Sequence, residues 1–321
     1  MLVDRSNFTV AETDRYFSAH SEDHPVNTVR HSRGFSDVAN QVVIRENKDC
    51  LYSHAVVDVS KGAVIANPAW DDRYSIIQMI DENQYSFAHL YPGDSLTVTP
   101  DMVTTGSHIW LNIRTEVRPE NGDGYYDAHQ HQDRYVIQAA SATPYQSKGF
   151  DPESLAAVRL ELLKLAPTVN SWDAFGTPDV VSPEAFLIAS AGGWAGLPKE
   201  HAVYWPKLVP SGVAADLAPS SLTLEKPPLD YKRGGFFSVT TYGPDGFIAT
   251  EDYAYNHRTA QPNENGSYTF CFNAPGRPNN MTTVAGWNMV IRLYRPTTFP
   301  AIMAYLEALE RDHVQIQSLS A

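Results

Sequence analysis

Arg45, Asn47, Asp49 and Tyr52 fall within eight positions, and their types are those that hold and act on a polar molecule. Arginine offers a planar fork of donors and aspartate an acceptor or a general base. Asparagine can play both parts, and tyrosine brings a ring and a hydroxyl. The apolar run Val42-Val43-Ile44 leads into this set, and Ala55-Val56-Val57 leads out of it to Asp58. The pattern predicts a strand, a polar hairpin and a second strand, by which a rigid sheet presents hydrogen-bonding groups from one edge. The alternative is structural: Asn47 and Asp49 cap the hairpin while Arg45 pairs with Asp58 or Asp81.

Other candidates are scattered. His31, between Arg30 and Arg33, is either an acid–base group brought over the Asp49 turn or a surface histidine. The run Asp127-Ala128-His129-Gln130-His131-Gln132-Asp133 holds ligand types suited to zinc, copper or iron. On a helix His129 and His131 would point about 200° apart and could not share an ion, whereas on a strand they would face one side. Arg292 and Tyr294 alternate along a β-like run, either closing a pocket or tying the strand to nearby carboxylates. A GxSxG elbow, a Walker A loop, a GxGxxG turn and a paired CxxC are all missing.

Composition narrows the classes. With Lys+Arg 24 against Asp+Glu 37, the net charge of -13 repels phosphate backbones and anionic membranes, so neither nucleic acid nor membrane is an expected partner. Residues 1–8 lack the apolar core of a signal peptide, and no apolar run approaches the ~18 residues of a spanning helix. Cys50 and Cys271, each in an apolar run, read as free buried thiols. A cytoplasmic protein is the expectation.

The elements that must position the candidates are mostly strands. Runs at 63–66, 74–81 and 108–114 alternate or are β-branched, and Gly, Pro, Asn and Asp separate them. Asp151-Pro152 and Ser182-Pro183 are helix starts, the first followed by Leu155, Val158, Leu162 and Leu165 at helical spacing. Gly192 to Pro198 is too glycine-rich for a regular element. Further on, 236–242 alternates, turns at Gly243-Pro244-Asp245-Gly246 and returns as Phe247-Ile248-Ala249-Thr250, which predicts a hairpin. Strands at 267–272 and 287–294 and a closing helix over 300–312 complete the reading.

These blocks together resemble two paired families of unknown function, numbered 1254 (N-terminal half) and 1214 (C-terminal half). The first resemblance lies in Arg45, Asn47, Asp49, Leu51, Tyr52, Ser53 and Asp58, then Asp72-Arg73-Tyr74 and Ile80-Asp81. The second lies in Gly193-Trp194-Ala195-Gly196-Leu197-Pro198 with Tyr204, then Phe236-Phe237-Ser238-Val239-Thr240, Gly246-Phe247, Asn263, Asn265-Gly266-Ser267 and Arg292-Leu293-Tyr294-Arg295-Pro296. Cys50, Phe237 and Ala195 depart from the usual Thr, Trp and Gly. The resemblance implies β-rich, jelly-roll-like halves joined through helices, often oligomeric, and no particular reaction.

The expected fold is therefore mainly β with helices: two antiparallel β-sandwich or jelly-roll-like domains joined by a helical segment. The divisions are an arm at 1–25, a β-rich domain at 26–145, a helical connector at 146–214 and a β-rich domain with closing helix at 215–321. A hydrolase or lyase on a polar, carbohydrate-like small substrate would use Asp49, Asp81 and His31 for catalysis. Arg45, Asn47, Tyr52, Asp58, Arg73, Trp194, Tyr204, Arg292 and Tyr294 would bind. No cofactor is expected, while a divalent metal, with His129 and His131 as the weaker alternative, stays open. Two carboxylates in one pocket would favour catalysis. An aromatic pocket without an acid–base pair would favour a carbohydrate- or metabolite-binding module, and a flat apolar patch a structural homo-oligomer.

Overall fold

The computed structural model describes residues 1–35, 38–41, 45–118, 124–207, 217–311 and 316–319. The chain divides into two compact units, one of Met1–Arg33 with Cys50–Lys199 and one of Gly34–Asp49 with Glu200–Ala321. This division follows none of the expected boundaries at 25, 145 and 214. Among the described residues the protein is mainly β with helices; its sheets are open and nearly all antiparallel, and no helix is long and apolar enough to cross a membrane.

The first unit holds α1 (Phe8–Asp23), β1 (Arg30–His31), β2 (Cys50–Asp58), β3 (Ala63–Ala66), β4 (Ser75–Ile80), β5 (Ser86–Leu90), β6 (Ser95–Val98) and β7 (His108–Glu116). It continues with α2 (Tyr125–Gln132), β8 (Val136–Ala139), α3 (Pro152–Leu163) and α4 (Pro183–Gly193). One sheet runs β1-β2-β7-β4-β5 and a smaller one β6-β3-β8. Side chains alternate between the faces of a strand, so Ala55, Val57, Ile77, Met79, Ile109, Leu111 and Ile113 share one face of the larger sheet. They pack with Ala63, Ile65 and Val98 of the smaller sheet. Each fully buried Ile or Leu there contributes about 1.5–3 kcal/mol, which fixes which face of every strand turns inward. The opposite face is left to Tyr52, His54, Gln78, Trp110, Asn112 and Arg114, set side by side by the register of β2, β7 and β4.

The helices cover that second face. Asp151 caps α3 by accepting from the Ser154 amide (2.8 Å), with Pro152 at the first helical position. Residues 1–25, expected as an arm with room for one short helix, carry the 16-residue α1. Phe8 and Ala11 pack against Leu155, Leu162 and Ile188, and Phe17 against Trp110 and Tyr145. Its periodicity is weak because polar groups share the buried side. Glu12 pairs with Arg15 and Arg159, and Asp14 accepts from the Tyr145 hydroxyl (2.7 Å).

The second unit holds β9 (Ala202–Lys207), β10 (Ser220–Leu224), β11 (Phe236–Tyr242), β12 (Ala254–Asn256), β13 (Tyr268–Phe272), β14 (Asn280–Met281), β15 (Asn288–Tyr294), α5 (Phe299–Arg311) and β16 (Gln317–Ser318). Its sheets run β12-β11-β15-β9 and β14-β13-β10-β16. The expected return strand at 247–250 does not form; β12 pairs with β11 in its place. The Gln41 side chain holds both backbone groups of Ile248, accepting from its N–H (2.9 Å) and donating to its carbonyl (2.8 Å), so neither is left for a ladder.

The link from α4 to β9 is tightly constrained. Ala195 sits at φ 63°, a conformation that an L side chain adopts at a cost. A Cβ added at Gly196 would lie 2.3 Å from the Phe175 ring. Gly196→Ala is therefore expected to lower stability by about 1–3 kcal/mol in urea unfolding, as overpacking does. A change under about 0.5 kcal/mol would show that the Phe175 ring yields freely.

Candidate functional site

Sequence reasoning placed Arg45, Asn47 and Asp49 on a hairpin of the N-terminal half. The structure puts them in the second unit, and the apolar strand expected at 42–44 lies outside the described residues. There the stretch from Arg45 to Asp49 is irregular and lies against one face of β11 and β15. Asn47 donates to the Tyr294 hydroxyl (2.9 Å), Ser238 to Asp49 Oδ2 (2.6 Å), and Tyr242 to the Glu46 carbonyl (3.0 Å). Arg292, 4% exposed, donates to the Arg45 carbonyl (2.7 Å) and to Thr240 Oγ1 (3.2 Å). Tyr204 is the cross-strand neighbour of Arg292 and meets the Tyr294 ring edge-on at 6.4 Å. Burial works against the Arg292 charge, but Tyr242, Tyr294 and Asp49 outweigh it and raise the guanidinium further above its ordinary value.

So Arg45, Asn47, Asp49, Tyr204, Arg292 and Tyr294 do converge, but largely on one another. Arg45 alone is exposed, its side chain 3.5 Å from Asn288 Oδ1. The second unit also has an open groove of about 700 Å³ lined by Thr223, Asn263, Glu264, Asn265, Ser267 and Thr269. Its amides and hydroxyls bond among themselves, Asn263 donating to Ser267 (2.8 Å) and Thr269 (3.0 Å).

The remaining candidates belong to the first unit. Asp81 is fully buried and accepts from the backbone of Asn83, Tyr85 and Thr104, which makes it the clasp of two turns. Burial pushes its carboxyl up in spite of those bonds. Asp58, also fully buried, is pushed up by burial, but bonds from Ser60 and Thr143 outweigh this and hold it well below the usual carboxylate range. Arg73 pairs with Asp127 (2.8 Å) and Asp71 (3.0 Å) beside the Trp70 ring. His31 bonds the Ser53 hydroxyl (2.8 Å), and burial, then Arg33, lowers it to about 4. Asp49 and Asp81 stand in different units, so neither unit holds both carboxylates expected of a hydrolase.

The segment with His129 and His131 is helical, and the two rings have separate partners. His131 is buried on Trp70 (4.0 Å) and bonds Asn67 (3.0 Å), whereas His129 bonds the Arg33 carbonyl (2.7 Å). Among the described residues no group of three or more His, Cys, Asp and Glu is placed to hold a metal ion.

Tyr52 and Trp194 belong to a second gathering of functional groups, in the first unit. Tyr52 stacks with His54 (6.0 Å) and lies 5.4 Å from the Arg114 guanidinium. His54 packs on Trp110 (5.1 Å), Trp110 meets Trp194 edge-on (5.4 Å), and Trp194 stacks on Tyr16 (4.1 Å). Tyr16, Tyr52, His54 and Trp194 are each half-buried. Below them Arg114 donates to Gln78 Oε1 (3.0 Å) and to the Ala195 carbonyl (3.1 Å), and Gln78 donates to the Gly196 carbonyl (2.8 Å). The strained link thus fixes the Trp194 ring by its neighbours' carbonyls. Burial, then His20 and Arg114, pulls His54 down to about 3, leaving a neutral ring beside a permanent cation. Sequence reasoning missed His54, Trp110, Asn112 and Arg114. Their signal was the alternation Trp110-x-Asn112-x-Arg114, read only as a strand.

Comparison with known proteins gives fold and no activity. A family model described as "Protein of unknown function (DUF1254)" matches residues 26–139. The crystal structure of the VPA0106 protein from Vibrio parahaemolyticus is similar over 98% of this chain and 97% of its own, with a TM-score of 0.70 and 16% identity. A putative uncharacterized protein from Burkholderia cenocepacia covers 89% of this chain and 83% of its own, with a TM-score of 0.46 and 14% identity. No curated protein matches.

Two expectations follow from the geometry. Asp49→Ala should cost about 1–3 kcal/mol in urea unfolding, because it leaves the buried Ser238 hydroxyl without its acceptor and removes a carboxylate that supports the Arg292 charge, whereas Arg45→Ala should stay within about 0.5 kcal/mol. Equal effects would mean that Arg292 is solvated. Acid should also unfold the protein early. His20, His31, His54 and His131 all lie below their ordinary 6.5 in the folded state, so their neutral forms give full stability above that value and lose it as pH falls toward 4. The thermal midpoint should drop by several degrees between about pH 7.5 and 5; a flat midpoint would refute this.

Proposed function

We propose that the protein binds a polar, carbohydrate-like small molecule on the ring patch of its first unit, without turning it over. The observation that carries this is the set of four half-buried rings, Tyr52, His54, Trp194 and Tyr16, linked through the buried Trp110, with the buried Arg114 guanidinium against Tyr52. Aromatic faces accept the C–H face of a sugar ring, while the Tyr52 hydroxyl meets its oxygens. His54 is neutral in the working pH range and no carboxylate belongs to the row, so it lacks an acid–base pair and suits retention better than bond cleavage.

The rest of the proposal follows the family resemblance. Both units are jelly-roll-like, the second is akin to the family numbered 1214, and the protein works as a homo-oligomer. Buried Cys50 and Cys271, which form no disulfide, suit a reducing compartment such as the cytoplasm. The charge of -13 suits neither a nucleic-acid nor a membrane partner.

Calorimetric titration with neutral and acidic mono- and oligosaccharides is the test. At least one class should bind, and Trp194→Ala should weaken it by about fivefold or more, the ~1 kcal/mol of a lost ring contact. Asp49→Asn should leave that affinity unchanged. Absence of binding across the panel, or equal binding by Trp194→Ala, would sink the proposal; sugar cleavage lost in Asp49→Asn would replace it with hydrolysis.

A further inference from the structure

Arg30 belongs to the two-residue strand β1, where it is the cross-strand neighbour of His54. Residues opposed in this way leave the sheet on one face with Cβ atoms about 4.5–5.5 Å apart, so Arg30 shares the face of His54 and Tyr52. Arg30 is exposed, and among the described residues its side chain has no ion pair and no hydrogen-bond partner. The other guanidinium groups at the rings are committed. Arg15 lies 4.1 Å over the Tyr16 ring, but its fork is held by Glu12 (2.7 Å). The buried Arg114 donates to the neutral oxygens of Gln78 and Ala195. Asp58 and Glu116, the carboxylates that alternate onto the same face, stand at the ends of β2 and β7 and are occupied there. Asp58 accepts from Ser60 and Thr143, while Glu116 accepts from the Tyr74 amide (2.7 Å) and pairs with Arg118 (3.2 Å). The groups whose charge acts on His54 are His20, Arg114 and Arg30, all of them basic. In a chain of net charge -13, the middle of this face is cationic.

We propose that the ring patch takes an acidic sugar, a uronate-type ring whose carboxylate is held by the open guanidinium of Arg30. This rests on the reading of the patch as a sugar surface, and it names the class of sugar. A guanidinium presents a planar fork of N–H donors that matches the two oxygens of a carboxylate. A hydrogen bond between charged partners is about twice as strong as a neutral one. Arg30 suits the part because no group of the protein has to be displaced from its donors. An acidic sugar would lay its C–H face on the rings and turn its carboxylate toward β1. The carboxylates of the face are paired at its ends, and Arg114, 5.4 Å from the Tyr52 ring, adds attraction without a contact. A neutral sugar would have the rings and the Tyr52 hydroxyl alone.

The test is calorimetric titration of the full-length protein with matched sugars, glucose with glucuronate and galactose with galacturonate, as monomers and short oligomers. At low salt each acid should bind about tenfold or more tightly than its neutral counterpart, and the margin should shrink at high salt, as contacts of an exposed charge do. Arg30→Gln should remove the margin while leaving the neutral sugars within about twofold, and Arg30→Glu should favour the neutral member of each pair. Trp194→Ala should weaken both members alike. Succinate, a charge without a sugar ring, and glucose 6-phosphate, a sugar with a different anion, should each bind at least about tenfold more weakly than glucuronate. Neutral sugars that bind as well as the acids would overturn the inference and leave the ring patch a neutral-sugar surface. A margin that survives in Arg30→Gln would overturn the role of Arg30, and succinate or glucose 6-phosphate matching glucuronate would overturn the class. No binding by any sugar would remove this inference together with the reading beneath it.

Discussion

A guanidinium kept out of water must be surrounded by acceptors, and the second unit is arranged to meet that demand at Arg292. The strand supplies the charge from the middle of a ladder, where the side chain has little freedom to reach solvent. The Arg45 carbonyl, 247 residues away in sequence, accepts from it, and the Asp49 carboxylate, held by the Ser238 hydroxyl, supports its charge. An uncompensated charge of this kind costs several kcal/mol. The polar residues from 45 to 49 therefore cannot drift from β11 and β15, and their chemistry serves architecture before anything else.

That outcome explains which parts of the chain could be read in advance. The strand His108–Glu116 declares itself through alternation, because one of its faces is a hydrocarbon core. Helix α3 shows through Asp151 and Pro152, whose roles are local. Helix α1 was hidden by Glu12, Asp14 and His20, buried residues that look like surface ones until their partners are known. The failed hairpin at 247–250 has the same origin: Gln41, distant in the sequence, competes for Ile248.

The candidate site was half visible. Tyr52 and Trp194 were singled out, and so were the Arg45 set and Arg292. What could not be read was which of the two gatherings turns inward on itself. Carboxylates and guanidinium groups advertise chemistry from sequence alone, but in this fold the hydrogen bonds of Asp58 and Asp81 go to backbone amides that shape turns. Rings on the second face of a sheet advertise little, because core and surface aromatics have the same one-letter code.

The path of the chain has a consequence for biogenesis. It leaves the first unit after Arg33, contributes Gly34–Asp49 to the second, returns for 150 residues, and leaves again after Lys199. A ribosome therefore delivers the 34–49 piece long before β11 and β15 exist to receive it. During that interval the piece, with its share of the charged cluster, is solvated and waits, and the second unit closes only when nearly the whole chain has emerged. No single cut yields either unit intact, since each is made of two separated lengths of chain; the two are bound to a shared folding schedule.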